Sequence, residues 1–336
     1  MGPLLGFDLD AFDLAAQLGG EPSAIFATSA TFMRSGEAFS LFGSGLTFDA
    51  QLRITGGTVT RITDYLSGVP IFDLSGLSAP AAALAGWAAN RDTEAMKQTL
   101  FAGGDTFTGG ELGDLLRAYA GNDSVAGGLG ADTLDGGGGN DTVSGGAGAD
   151  SIVDGAGSNY LRGEDGDDRI TGGSGFDDIN GNMGNDTGSG GDGEDWVVGG
   201  KDNDSLSGGA AYDLVYGNLG NDTCDGGDGN DIVRGGQQDD VLNGGAGDDY
   251  LSGDKDSDTI TGGLGADIFH SFGDAGLDRV TDFNRGQGDR VLLDAGTTYT
   301  VAQSGADTVI SMTGGGQVVL VGVSMASLSD GWITVG

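Results

Sequence analysis

Three observations predict a mainly β chain: a right-handed parallel β-roll solenoid of nonapeptide repeats, with a small N-terminal α+β cap and a C-terminal β cap. Nineteen nine-residue units run without insertion from Leu100 to His270. The best of them read G-G-x-G-x-D-x-U-x with U apolar, as in Gly226-Gly227-Asp228-Gly229-Asn230-Asp231-Ile232-Val233-Arg234. The sixth place is aspartate in every unit but one, and the eighth is apolar in every unit but one, at Gly188. Glycine contributes 71 residues and proline only 4, which fits neither a Pro-rich linker nor a triple helix with glycine at every third place. Self-similarity at a fixed short period is the mark of a solenoid.

The chain divides into three domains: residues 1–99, an N-terminal α+β cap or assembly domain; 100–272, the roll; and 273–336, the C-terminal β cap. In the first, a short helix is expected at Phe7–Leu18. Period-two alternation marks strands at Ala38–Phe42, Leu46–Phe48, Gln51–Ile54 and Thr58–Ile62, broken by turns at Asp49-Ala50 and Gly56-Gly57. Ser78–Ala89 reads as a helix with Ser78 as N-cap and Pro80 in its first turn, and Thr93–Leu100 as a second short helix.

In the roll, alternation makes the seventh to ninth places a three-residue strand with only the eighth side chain inside. The glycine-rich first six places form a turn. Two units make one coil of 18 residues, and coils stack about 4.8 Å apart as parallel strands. Stacking brings the sixth-place acids into columns: Asp105, Asp114, Asp123, Asp132, Asp141, Asp150, Asp168, Asp177, Asp186, Asp195, Asp204, Asp213, Asp222, Asp231, Asp240, Asp249, Asp258 and Asp267. Asp278 belongs to one more recognisable unit after a two-residue register shift at Gly273. Bare columns of this kind repel. A hard cation resolves the repulsion, and Ca2+, which takes six to eight oxygens, suits turn carbonyls and aspartates from adjacent turns better than Mg2+. Up to about seventeen gaps between turns, each filled by a divalent ion, bring the net charge of −37 close to zero.

Some units depart from the pattern. Asn159 stands for the aspartate and Asp154 for the first glycine of that unit; the fourth-place glycine is missing at Leu112, Asp202, Ala211, Gln238 and Asp256. Weak or empty gaps are expected there. The first two units are degenerate and read as a cap. Cys224 lies in the inward column, where it acts as a small apolar residue. His270, in the last outward place, is expected to lie on the surface or pack against a cap, the alternative being a ligand or catalytic role.

The outward places of the two sheets differ. One carries Tyr160, Trp196, Val198, Leu214, Tyr216, Ile232, Tyr250 and Ile268, a stripe that predicts either a folded-back terminal domain or a contact with another subunit or partner. The other carries Thr133, Ser151, Thr171, Thr187, Ser189, Ser205, Ser207, Thr223, Thr259 and Thr261, a solvated hydroxyl face that could also meet ice or carbohydrate. In the C-terminal domain, strands are expected at Val280–Phe283, Val291–Leu293, Tyr299–Ala302, Thr308–Met312 and Val318–Val321.

Composition excludes several functions. Fourteen basic residues against 51 acidic ones argue against nucleic acid or anionic membrane as a partner. A single cysteine allows no intramolecular disulfide. Met1–Asp8 lacks the basic region of a secretory signal peptide, and Ala79–Ala89 is too short to span a bilayer, so no membrane insertion is expected. With one histidine no H-E-x-x-H zinc site can form, and no G-x-S-x-G occurs, so the chain reads as no enzyme.

The nonapeptide resembles the RTX (repeats-in-toxin) family. The resemblance implies a calcium-triggered β-roll and type I secretion through an uncleaved C-terminal signal. The Asp278-Arg279-Val280-Thr281-Asp282-Phe283 segment and the residues after it are similar to the C-terminal region of serralysin-type members, and residues 1–99 resemble N-terminal segments of other members. The function expected on this basis is an extracellular calcium-binding structural protein. It would fold outside the cell and self-assemble into a filament, matrix or surface-layer component. Its expected partners are itself, a cell surface or matrix, and the type I secretion machinery. The alternatives are a monomeric glycan- or ice-binding module and an accessory piece of an RTX enzyme.

Overall fold

The eighth-place side chains are the core, and they fix which way every strand faces. From Phe107 to Phe269 each apolar residue of that column is at most 3% exposed. Gly188 leaves no hole, because a Cβ built there would lie 3.1 Å from Val197 Cγ1 and 3.3 Å from Leu206 Cδ2. The neighbours have closed over the missing side chain.

A computed structural model describes the backbone of residues 27–34, 37–48, 54–66 and 69–80 and all of 102–336. Its contacts divide the chain into two units, Met1–Gly155 and Ala156–Gly336.

In the first unit, Ala27–Arg34, Glu37–Phe48, Ile54–Leu66 and Val69–Pro80 form an antiparallel meander. Val69–Pro80 then pairs antiparallel with Thr106–Thr108, which begins a parallel run through Ser124–Leu129 to Thr142–Ala147. A second parallel sheet holds Leu115–Arg117, Thr133–Asp135 and Ser151–Val153. Two expectations fail in this unit. Gly56-Gly57 is not a turn: Gly56 pairs with Thr47 where the register slips between Ser44 and Thr47, so the glycines serve a bulge within one long strand. Ser78 is not a helix N-cap: Ala79 and Pro80 pair with Val59 and Thr58, so cross-strand bonding outweighs the local helix signal. The rest of that helix, and those at Phe7–Leu18 and Thr93–Leu100, lie outside the described residues.

In the second unit one sheet stacks parallel strands from Asn159–Asp165 through Trp196–Lys201, Leu214–Leu219 and Ile232–Gln237 to Ile268–Ser271, Arg290–Leu293 and Ile333–Val335. The facing sheet runs from Arg169–Ser174 through Ser205–Ala210 and Thr223–Asp228 to Thr259–Leu264 and Leu277–Val280. Gln317–Leu320 continues this sheet, and Asp307–Met312 and Tyr299–Ser304 close it in antiparallel pairing. Most repeat strands have six residues rather than three. Ser205–Ala210, for example, continues through the first three places of the next unit. The second-place glycine takes a left-handed angle, φ +120° at Gly209, yet stays in register opposite Gly191. The expected strand at Val280–Phe283 instead spans Leu277–Val280, because Asp282 turns aside to accept the N–H groups of Gly262 and Gly263 at 2.9 and 2.8 Å. Among the described residues the one helix is a 3-10 turn at Met325–Ser327.

Candidate metal centre

Each glycine of the unit has its own cause. The fourth place takes a left-handed φ, as at Gly229 (+155°) and Gly247 (+137°), where L side chains are strained. Asp202, Ala211, Gln238 and Asp256, which replace that glycine, hold the same region at φ 74°, 88°, 77° and 78°. The turn geometry therefore survives the substitutions, at a cost in strain of about 1 kcal/mol or more each. Leu112, the fifth replacement, projects into solvent. The first place is buried and needs room for oxygen. A Cβ at Gly208 would sit 2.5 Å from Asp213 Oδ2 and 2.7 Å from the Gly226 carbonyl oxygen. At Gly226 it would sit 2.6 Å from Asp231 Oδ2 and 2.5 Å from the Gly244 carbonyl oxygen.

The sixth-place carboxylates divide their two oxygens. Oδ1 accepts the backbone N–H of the aspartate 18 residues earlier: Asp195 N to Asp213 Oδ1 at 2.7 Å, Asp213 N to Asp231 Oδ1 at 2.9 Å, Asp222 N to Asp240 Oδ1 at 2.8 Å. Oδ2 is buried without a hydrogen-bond partner at Asp105, Asp123, Asp132, Asp177, Asp186, Asp195, Asp204, Asp213, Asp222, Asp231, Asp240, Asp249, Asp258 and Asp267. Asp141, Asp150 and Asp168 are buried in the same columns. Asp114 differs: it is half-buried, and its Oδ2 accepts from Gly110 N at 2.7 Å, consistent with a degenerate first turn. Asp278 is buried, 20 residues beyond Asp258, with Ser271 Oγ donating to its Oδ2 at 3.0 Å. At Asn159 the side-chain amide donates to Asp177 Oδ1 at 2.8 Å, so a neutral donor replaces one acid of the column.

Burial raises these carboxyl groups. Asp204 and Asp240 are pushed up to about 8, Asp213 and Asp249 to about 7, and Asp186 and Asp231 to about 6. Desolvation is the main cause. The backbone N–H bond to Oδ1 pulls the other way, and neighbouring carboxylates add to the rise. A buried Oδ2 facing a carbonyl oxygen calls for a proton or a cation. Among the described residues no group of three or more His, Cys, Asp or Glu side chains is placed to hold a metal ion. A bound ion would therefore take no more than two carboxylates and draw the rest of its shell from turn carbonyls. Such hard, all-oxygen donors suit calcium.

One ladder escaped the sequence reading. Fifth-place side chains accept the backbone N–H of the residue 18 positions later: Asn185 Oδ1 from Asn203 N at 3.1 Å, Asn203 Oδ1 from Asn221 N at 2.7 Å, Asn230 Oδ1 from Asp248 N at 2.8 Å. The signal was the recurrence of Asn or Asp at that place. Asp289, also missed, continues an acid column after a 22-residue step, accepting Asp267 N at 3.3 Å and Asn284 N at 2.7 Å.

The outward stripe lies on one sheet of the second unit. Tyr160 and Trp196 are 47% and 49% exposed, and Val198, Leu214, Tyr216, Ile232, Tyr250 and Ile268 are half-buried. Polar residues interleave it. Arg162 lies 3.3 Å over the Tyr160 ring and pairs with Asp178 at 2.9 Å; Arg234 pairs with Asp254 at 2.9 Å. His270 packs against the C-terminal cap as expected: its Nε2 meets Asp294 Oδ1 at 3.0 Å and its Nδ1 meets Ser252 Oγ at 3.2 Å. Ser252 is wholly buried and donates to Asp254 at 2.6 Å, so this trio offers no accessible nucleophile. Cys224 is buried, and desolvation raises its thiol well above the ordinary range.

A parallel β-solenoid whose turns carry buried acids in register defines a class of metal-dependent repeat protein. Residues 108–269 match the model of the RTX calcium-binding nonapeptide repeat in four-copy blocks, so this segment of the chain carries RTX calcium-binding nonapeptide repeats. RTX nonapeptide repeats bind Ca2+. Among solved structures, the chain is similar to the extracellular lipase LipA from Serratia marcescens, with 20% identity and a TM-score of 0.24; the match covers 53% of this chain and 40% of the lipase. It is also similar to the AlgE6R3 subunit of the Azotobacter vinelandii mannuronan C5-epimerase, with 27% identity and a TM-score of 0.22, covering 40% of this chain and 78% of that subunit. No curated protein matches the chain significantly.

Proposed function

We propose that this chain is a secreted, non-enzymatic structural protein whose repeats fold as calcium fills the turns outside the cell, and which then assembles with further copies through the aromatic sheet into a filament, matrix or surface-layer component. The observation that carries the reading is the repeated buried Oδ2 with no donor. Sixth-place aspartates such as Asp213 and Asp231 supply that oxygen to an ion, while their Oδ1 holds the preceding coil. Calcium supplies the positive charge that the columns otherwise lack, with up to about seventeen ions along the roll. Without it, self-repulsion keeps the chain unfolded and fit for export through a type I pathway, because ion binding and folding share one free energy. The half-exposed aromatic rings of Trp196 and Tyr160, set among Arg162 and Asp178, support a contact there, since aromatic and arginine side chains are favoured at interfaces.

Sedimentation velocity with calcium and with chelator tests this. Calcium is expected to produce concentration-dependent assembly, and Trp196→Glu to prevent growth into large assemblies with unchanged circular dichroism. A strict monomer at high concentration in calcium sinks the assembly reading. The exposed Thr187, Ser205 and Thr223 ladder supports a second reading, a monomeric glycan- or ice-binding module, which a calcium-loaded monomer retained on polysaccharide or ice would favour.

A further inference from the structure

We propose that the edge strand Tyr299–Ser304 is a docking site for the same strand of a second copy, joined in antiparallel pairing across a two-fold axis. The inference rests on the reading of the chain as self-assembling but uses a different surface, away from the aromatic sheet. Tyr299–Ser304 is the last strand of its sheet and pairs only with Asp307–Met312, so one row of its backbone N–H and C=O groups faces outward. Its side chains are exposed on both faces, with Val301 alone half-buried. Proteins usually blunt such an edge with charge, proline or a bulge. This one has none: residues 295–306 carry no charge and no proline in a chain of net charge −37, and the pairing with Asp307–Met312 is unbroken. The other edge strand of this unit, Ile333–Val335, has three residues, too few for a stable ladder.

The occupant is chosen by charge. Residues 295–306 offer no charge to a charged partner, and a second copy presents the same neutral edge. In the register centred on Val301, whose N–H and C=O lie in the outward row, Val301 faces Val301 of the second copy, Tyr299 faces Gln303 and Thr300 faces Ala302. Asp307 falls opposite Ala295 and Asp294 opposite Thr308, so no acid meets an acid. Self-pairing of one strand is isologous, as a closed dimer requires. The Gln303 side chain already fixes the strand from its own molecule, accepting Met325 N at 2.7 Å and donating to the Asp307 carbonyl at 2.9 Å. The edge is thus presented in place rather than formed on contact.

The test is sedimentation equilibrium of the full calcium-loaded chain at concentrations up to about 100 µM, with hydrogen exchange of the 299–304 amides. Wild type should dimerise and protect those amides as concentration rises. Val301→Lys and, separately, Val301→Pro, which removes an outward N–H and leaves the hairpin's own bonds in place, should weaken the dimer at least tenfold and lose that protection, with exchange in the repeat strands unchanged. Two substitutions of unlike chemistry guard against a variant that merely melts the hairpin. A dimer that survives both overturns the proposal, as does one lost only in Trp196→Glu, which places assembly on the aromatic sheet and leaves the functional reading intact. A wild type that stays monomeric overturns both.

Discussion

The repeat turns and the C-terminal cap both use aspartates to tie coils together, but they satisfy them differently. In the turns each carboxylate uses Oδ1 on a backbone N–H and leaves Oδ2 with no donor, as at Asp213 and Asp231. In the cap, Asp282 spends both oxygens on Gly262 N and Gly263 N, and Asp289 spends both on Asp267 N and Asn284 N. A second donor favours the anion against the burial that opposes it, as at Asp289, where both backbone bonds work against desolvation; a single donor in a dry setting offsets less. At Asp282 and Asp289 the cap thus supplies a second donor where the turns need a counter-charge, while Asp278, buried with Oδ1 unpartnered, still behaves like a turn acid.

The sharpest way to break this comparison is to remove calcium. Chelation should strip exchange protection from the repeat strands around 196–246 by at least about a hundredfold and open Cys224 to alkylation. The strands Asp307–Met312 and Gln317–Leu320 should keep more of their protection. Equal loss throughout would show that the cap also depends on the ion.

Protons should partly replace calcium. The folded repeat holds its acids at about 6 to 8, against 3.8 for an ordinary aspartate. The folded form therefore binds protons more tightly than the unfolded chain, and the ion-free repeat gains stability as pH falls from about 8 towards about 4. The same stability is lost as pH rises back through the folded values. Circular dichroism in chelator should show more β structure at pH 5 than at pH 8, while the calcium midpoint moves to higher concentration as pH drops. A metal-free signal that declines with acid would contradict the raised carboxyl groups.

The smallest effect comes from single amides. Asp213→Asn should raise the calcium midpoint a few-fold and change little in chelator. Asp289→Asn should cost about 1–3 kcal/mol in thermal unfolding with calcium present, because it disturbs bonds that involve no ion. If the two variants respond alike to calcium, the division between turn and cap fails.

Much of this was legible in the residues. The sixth and eighth columns predicted the parallel coils, the buried Asp213 and Asp231, and the aromatic and hydroxyl faces. What hid the rest was geometry with no period-two signature. Strands run through the second-place glycines because a left-handed residue such as Gly209 can still lie opposite Gly191. The Asn203 and Asn221 ladder runs along the stack from a turn, where alternation says nothing. Asp282 and Asp289 lie beyond the fixed spacing, where steps of 20 and 22 residues replace 18. Arg162, Asp178 and Arg234 interrupt a stripe that reads as apolar only when its polar members are passed over.

The 18-residue coil also limits how a gene for such a chain can change length. Duplicating or deleting two units keeps every later residue on its own sheet. Adding or losing one unit sends each later side chain to the opposite sheet: nine residues lost between Trp196 and Ser205 would move Tyr250 and Ile268 among the threonines, while leaving every glycine, acid and core residue in a valid place. The fold would tolerate the event and the surface would not. Selection against odd-numbered events would then act only on what the exterior does.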